Sequence, residues 1–137
     1  MKIVGIEHVG IAVHSIDEKA AFWEYILKID RTATETVAEQ GVSTAIFDTG
    51  KGKIELLEAI DPNSPIAKYI SKRGPGLHHI CLEVEDITSA IKELKENDIS
   101  LINETPTRGV EGYLIAFIHP RSTGGVLVEL AQKQKPQ

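Results

Sequence analysis

A single cysteine, Cys81, leaves this 137-residue chain no internal disulfide, which fits a reducing, cytoplasmic setting. No apolar run approaches the roughly 20 residues that a membrane-spanning helix needs. A secretory signal is not expected either, because the opening Met1-Lys2-Ile3-Val4-Gly5-Ile6 is interrupted by Glu7 and His8 before an apolar run of that kind can form. Basic charge is not in excess. The net charge of −5 gives no broad positive field and argues against nucleic acid as the main partner, while a local basic patch for a phosphorylated ligand stays compatible with it. The chain also lacks a glycine-rich phosphate loop ahead of a helix, a Gly-x-Ser-x-Gly elbow and a pair of cysteines, the sequence marks of three common chemistries. What is present is ordinary for a soluble globular domain: 42% hydrophobic and 26% charged residues, enough to build one core. Only the final Gln132-Lys133-Gln134-Lys135-Pro136-Gln137 reads as disordered.

The chain repeats itself. Gly5-Ile6-Glu7-His8-Val9-Gly10-Ile11-Ala12-Val13 and Gly76-Leu77-His78-His79-Ile80-Cys81-Leu82-Glu83-Val84 superimpose at a constant offset of 71 residues, which lays His8 on His79. Further on, Lys53-Ile54-Glu55-Leu56-Leu57 resembles Leu127-Val128-Glu129-Leu130-Ala131, each a short apolar run with one central carboxylate. The spacing from His to Glu is 47 residues in the first copy and 50 in the second. A period of this length marks a duplicated structural unit.

Each copy reads as β-α-β-β-β. From Ile6 to Val13 the period of two sets Ile6, His8, Gly10 and Ala12 on one strand face and Val9, Ile11 and Val13 on the other, which is the core face. Ser15 followed by Glu18 suits a capping box, and Phe22, Trp23, Tyr25, Ile26 and Ile29 form an apolar stripe, so a helix is expected over about Ile16 to Leu27. Three strand-like runs follow between Thr32 and Glu58, parted by Gln40-Gly41 and Asp48-Thr49-Gly50-Lys51-Gly52. Ser64 and Pro65 make an N-cap and first-turn pair for a linker helix. The second copy then gives a strand from Leu77 to Val84, an Asp86-capped helix carrying Ile87, Ala90, Ile91 and Leu94, and strands at Leu101-Ile102, Tyr113 to Ile118 and Gly125 to Leu130. Thr107-Arg108-Gly109 and the stretch from His119 to Gly124 are the separators. The expected organisation is a single domain over 1–137, with module 1 at about 3–60, the linker helix at about 64–73 and module 2 at about 75–131.

A lone histidine in a strand is most often a packed or half-exposed side chain, and a lone glutamate there most often faces solvent. Here His8, His79, Glu55 and Glu129 take equivalent places in two repeats, and both glutamates sit among apolar neighbours where an unpaired carboxylate is costly to bury. Duplication would bring them around one axis. Two imidazoles and two carboxylates form a borderline N₂O₂ donor set suited to one divalent first-row metal, with positions left for water or substrate. His78 points away from the face of His79, His14 lies at a turn and His119 precedes Pro120, so all three stay outside this set. Cys81 reads as packing.

These residues carry a family likeness. The duplicated βαβββ pattern resembles the vicinal oxygen chelate superfamily. Within that superfamily Ile6 to Val13, Gly76 to Val84 and His119 to Leu130 are similar to the methylmalonyl-CoA epimerase family, as are Glu39-Gln40-Gly41-Val42, Glu55-Leu56-Leu57-Glu58 and Ser64-Pro65-Ile66-Ala67-Lys68-Tyr69-Ile70. The resemblance covers essentially the whole chain. It implies an α+β fold of two tandem βαβββ modules forming a curved mixed sheet around a metal site, with one divalent ion per chain held by His8, Glu55, His79 and Glu129. Cobalt is the first expectation, with manganese, nickel or zinc as alternatives. The implied activity is epimerisation of an acyl-CoA at the carbon between thioester and carboxylate, with Glu129 matching a proposed base, and the implied assembly is a homodimer. Some family members carry a glutamate two residues after the Gly-Val pair as a second base, whereas this chain has Thr44. The second proton carrier is therefore unassigned, with Glu55 or a metal-bound water as alternatives. Rival readings are glyoxalase I, acting on a glutathione hemithioacetal, and a ligand-binding member without chemistry.

Overall fold

The computed structural model describes residues 1–134; of the C-terminal tail read above as disordered, 135–137 lie outside the described residues. The element order is β1 (Ile3–Ala12), α1 (Ile16–Ala21), β2 (Asp30–Val37), β3 (Val42–Asp48), β4 (Lys53–Ala59), α2 (Pro65–Arg73), β5 (Gly76–Val84), α3 (Ile87–Glu96), β6 (Thr107–Arg108), β7 (Leu114–Ile118) and β8 (Val128–Gln132). The chain is α+β, and its order repeats β-α-β-β-β around α2. It divides into two compact units, one formed by Met1–Glu7 with His79–Gln137 and the other by His8–His78.

In the His8–His78 unit the strands run β2-β3-β4-β1. The outer pairs are antiparallel, and β1 lies parallel to β4 with Gly10 opposite Glu55. One face of this sheet is covered by α1, where Val13, Ile16, Ala20, Ala45, Phe47 and Leu56 form a cluster. On the other face Ala12, Val42, Leu57 and Ile66 pack with Tyr69 and Ile70 of α2. Both faces of β1 are thus buried toward its end, whereas the alternation alone gave it one core face. Gly41 shows why a glycine precedes β3: its φ is +64°, and a Cβ there would lie 2.9 Å from Cβ of Asp61, a strain that other residues would not tolerate.

The other unit repeats this arrangement with β5, β8, β7 and β6 in that order. Here β5 is parallel to β8, with Cys81 opposite Glu129. Its helix α3 lays Ile87, Ala90 and Ile91 against Val84, Ala116, Ile118, Val128 and Leu130, as the helical spacing of those apolar residues requires. On the opposite face, Cys81, Ile115 and Ala131 pack with Tyr113 and Phe117.

The caps read from sequence are made. The hydroxyl of Ser15 accepts from the Glu18 N–H at 3.3 Å, that of Ser64 from Ala67 at 3.2 Å, and the Asp86 carboxylate from Ser89 at 3.1 Å. A second kind of cap comes from far along the chain. Glu58 Oε1 accepts from the N–H of Ile16 at 2.6 Å, and Gln132 Oε1 accepts from that of Ile87 at 2.8 Å. Each unit thus uses the end of its last strand to hold the start of its helix. Gln132 is consequently an ordered strand residue, contrary to the expectation of a disordered tail, and Lys133 pairs with Glu83 at 3.5 Å.

Three further expectations change. The first helix is α-helical only to Ala21 and then widens into a π-type segment over Phe22–Ile26, with the Leu27 N–H reaching the Phe22 carbonyl at 2.9 Å. The widening breaks the apolar stripe: Trp23 and Ile29 pack on the core, whereas Phe22, Tyr25 and Ile26 are exposed. Next, Leu101-Ile102 makes only an isolated bridge to Ile118, because Asn103 Oδ1 takes the Phe117 N–H at 2.9 Å and ends the ladder. The edge strand is instead Thr107–Arg108, assigned above to a separator, and it pairs with β7 through a turn closed by Gly109 N–H to the Tyr113 carbonyl at 2.9 Å. Finally, β8 begins at Val128, later than the apolar run, since Gly124 and Gly125 adopt φ of +77° and +101°.

Candidate metal centre and active site

Each unit carries one buried His–Glu pair on the sheet face turned away from its α1 or α3 helix. In one, His8 Nδ1 lies 3.1 Å from Glu55 Oε2; in the other, His79 Nε2 lies 3.0 Å from Glu129 Oε1. All four residues are at most 7% exposed. The register explains why both pairs form. The residue two places after each histidine, Gly10 or Cys81, sits directly opposite the glutamate on the parallel neighbour, so the histidine side chain, on the same face, leans over that carboxylate. One set of backbone offsets thus builds the pair twice.

These pairs suit a cation in chemistry and spacing. Two ligand atoms held at right angles by one ion at roughly 2.1 Å stand roughly 3.0 Å apart, the separation seen in both pairs. A neutral imidazole and an ionised carboxylate are also the protonation states in which these side chains hold a metal. His79 is further held by the edge of the Phe117 ring, with centroids 5.8 Å apart and planes at 81°.

The remaining histidines take no part in either pair. His78 packs edge-on against Tyr69 at 4.8 Å, His14 is exposed, and His119 Nδ1 accepts from the Arg121 N–H at 3.1 Å. Cys81 is buried and in no disulfide, as its place in a core-patterned strand suggested. Two polar residues of β1 and β3 escaped the sequence reading of burial. Glu7, beside His8, is buried, and its setting between Ile6 and His8 in a strand was the available signal. Thr44 is 1% exposed, and its hydroxyl has no hydrogen-bond partner in the structure. No helix among the described residues is long and apolar enough to cross a membrane.

Known proteins share this sequence and architecture. A family model of the Glyoxalase/Bleomycin resistance protein/Dioxygenase superfamily matches residues 7–117. The mitochondrial methylmalonyl-CoA epimerase of Homo sapiens is 39% identical over 128 residues, covering 93% of this chain and 73% of the human protein. A hypothetical protein of Bacillus halodurans superposes with a TM-score of 0.93 at 44% identity, covering 96% of each chain. A variant of the Streptomyces coelicolor methylmalonyl-CoA epimerase, in complex with 2-nitronate-propionyl-CoA, gives a TM-score of 0.92 at 29% identity, covering 98% of this chain and 100% of that one. The chain therefore belongs to the glyoxalase/bleomycin resistance protein/dioxygenase superfamily, and within it to the methylmalonyl-CoA epimerase family.

Proposed function

We propose that the chain interconverts (2R)- and (2S)-methylmalonyl-CoA by removing the C2 proton and returning one to the opposite face of that carbon. The observation that carries this reading is the doubled, buried His–Glu pair in a chain 39% identical to a named epimerase. C2 lies between a thioester and a carboxylate, so its C–H bond is acidic and the anion left behind is an enolate. His8, Glu55, His79 and Glu129 are the residues that would hold one divalent ion, cobalt first, with manganese, nickel or zinc as alternatives for this nitrogen and oxygen set. When bound, the ion supplies positive charge for the oxyanion that develops at the thioester oxygen.

The protein's own part is proton transfer and water exclusion. Glu129, whose Oε1 lies 3.0 Å from His79 Nε2, is the carboxylate that would exchange a proton with C2 as general base and acid. Burial of both pairs keeps competing water from the carboxylates and strengthens every charge interaction there. The two modules act as one domain, and the functional assembly is a homodimer in the cytoplasm, a setting in keeping with one buried cysteine outside any disulfide. Light scattering should give twice the chain mass, and a monomer at working concentration would remove the dimer.

The epimerase names of the human and Streptomyces coelicolor relatives favour the acyl-CoA over a glutathione hemithioacetal. Both His–Glu pairs are intact, which favours chemistry over mere ligand binding. The test is to incubate the metal-loaded protein with either epimer in deuterated water. Deuterium should enter C2 with formation of the other epimer. Turnover of the hemithioacetal without exchange at C2 would replace this function by the glyoxalase one.

A further inference from the structure

An acyl-CoA carries a pyrophosphate and a ribose phosphate at the far end of its pantetheine arm, whereas a glutathione hemithioacetal carries no phosphate. Resting on the proposed function, we infer that helix α2 is the docking site for these phosphates, through Lys68, Lys72 and Arg73.

The charge on α2 is unlike that of the other helices. Between Asp61 and Glu83 the chain holds these three cations and no carboxylate, although its net charge is −5. By contrast α1 carries Asp17 and Glu18 with Lys19, and α3 carries Lys92 and Lys95 with Glu93 and Glu96, the mixture of signs ordinary for a solvated face. Lys68 and Lys72 stand one turn apart, beside the row of Tyr69 and Arg73, so the three charges share one side of the helix. All three are exposed. The helix dipole accounts for cations in the last turn, where Lys72 and Arg73 lie, but it disfavours Lys68 in the first. Like charges gathered on one side repel, a cost that an anion lying across them would offset. Lys2, Arg31 and Lys133, in contrast, lie 3.4, 3.0 and 3.5 Å from Glu85, Glu24 and Glu83. The carboxylate nearest to α2 in sequence, Asp61, precedes the helix and accepts from the Asn63 N–H at 2.9 Å.

Helix α2 also sits beside the reacting end. Its Ile66, Tyr69 and Ile70 pack with Ala12 and Leu57. Leu57 is two residues beyond Glu55 on β4, and Ala12 is four beyond His8 on β1, so the period of two sets both on the face of the His8–Glu55 pair. At about 3.3 Å per residue, the helix is seated roughly 7 Å past the glutamate and 13 Å past the histidine. Helix and pair belong to the same compact unit. The cations look outward from that seat, a separation that the pantetheine arm would bridge. Arg73 is held in advance. Its guanidinium lies over the Tyr69 ring, 5.7 Å from the centroid, and that ring is fixed by its hydroxyl, which donates to the Leu77 carbonyl, and by His78 packed edge-on at 4.8 Å. Stacking uses the flat face of the guanidinium and leaves its N–H fork to a phosphate.

The test sets methylmalonyl-CoA against methylmalonyl-pantetheine, which keeps the reacting end and lacks every phosphate, with metal-loaded protein. Wild type should invert both, with the lower KM for the CoA thioester. The triple variant Lys68→Gln, Lys72→Gln, Arg73→Gln should raise KM for methylmalonyl-CoA by roughly 10- to 100-fold, as for the loss of three exposed charge contacts. Its kcat should stay within about twofold of wild type, because contacts remote from C2 hold ground state and transition state alike. KM for the pantetheine thioester should not move. Arg73→Lys, which keeps the charge and loses the stacked fork, should raise KM for methylmalonyl-CoA by less than the triple variant. Calorimetric titration with coenzyme A should show the same weakening without any turnover, and inorganic phosphate should not bind over the same concentration range. An unchanged KM for methylmalonyl-CoA in the folded triple variant, an equal rise for both thioesters, or inorganic phosphate bound as tightly as coenzyme A would each overturn the docking site while leaving the epimerase function standing. Absence of C2 exchange in wild type would instead remove the epimerase function, and an unchanged affinity of the triple variant for coenzyme A would remove the docking site on its own.

Discussion

The two units build the same His–Glu pair from the same offsets, yet they surround it differently. Around His79 and Glu129 the neighbours are apolar: Phe117 lies opposite Glu129, and Ile115 and Cys81 fill the sheet face. Around His8 and Glu55, Ile46 lies opposite Glu55 and Gly10 takes the place of Cys81, but the next row carries Thr44, whose hydroxyl has no partner, with Glu35 opposite it. The flanking strand differs as well, with eight residues in β2 and two in β6. Duplication builds the His–Glu pair twice over, and divergence of the residues beside it separates an apolar half from a more polar one.

The largest expected effect falls on the apolar half. Glu129→Gln keeps the shape and an oxygen donor but loses basicity, so interconversion measured with saturating metal should drop by roughly 10²- to 10⁴-fold. Recovery of most of the rate by excess metal would reduce Glu129 to a ligand. His8→Ala, Glu55→Ala and His79→Ala should each weaken metal binding by at least about 100-fold, beyond the loss typical of groups that only support ligands. Titration of the metal-free variants would read this directly.

Smaller effects test the row that distinguishes the halves. Ile115→Thr places an unpartnered hydroxyl in an apolar cluster and should cost about 2 kcal/mol in urea unfolding. Thr44→Val should do the reverse and stabilise by about 1 kcal/mol, since it removes a buried hydroxyl that the folded protein leaves unpaired. Equal and opposite trends would sharpen the contrast, and destabilisation by Thr44→Val would erase it. Smallest are the helix anchors shared by both halves: Glu58→Ala and Gln132→Ala should each cost about 0.5–2 kcal/mol, the range for loss of a helix-capping side chain.

Most of this architecture was legible in the chain because local rules and tertiary need agree. The 71-residue offset fixed which strands are equivalent, the Ser15, Ser64 and Asp86 caps fixed helix starts, and apolar surroundings marked Glu55 and Glu129 as carboxylates requiring partners. The misreadings arose where a long-range bond overrode local pattern. Thr107–Arg108 contains no apolar alternation and becomes a strand only because β7 offers it a ladder. Phe22, Tyr25 and Ile26 lost their helical stripe to a π-type widening that spacing rules do not foresee. The anchoring of Ile87 by Gln132 spans 45 residues and leaves no local signature. Thr44 was noticed for the glutamate it lacks, but its burial and its alignment with Glu35 follow only from the strand register.

Whether the two pairs serve one ion is the central claim, and metal stoichiometry decides it. Cobalt titrated into metal-free protein, followed by calorimetry and by elemental analysis after dialysis, should saturate at one ion per chain. Either His8→Ala or His79→Ala should then abolish that single binding event. Two ions per chain, or one binding event that survives substitution of either histidine, would mean that each unit binds on its own and would contradict the shared centre.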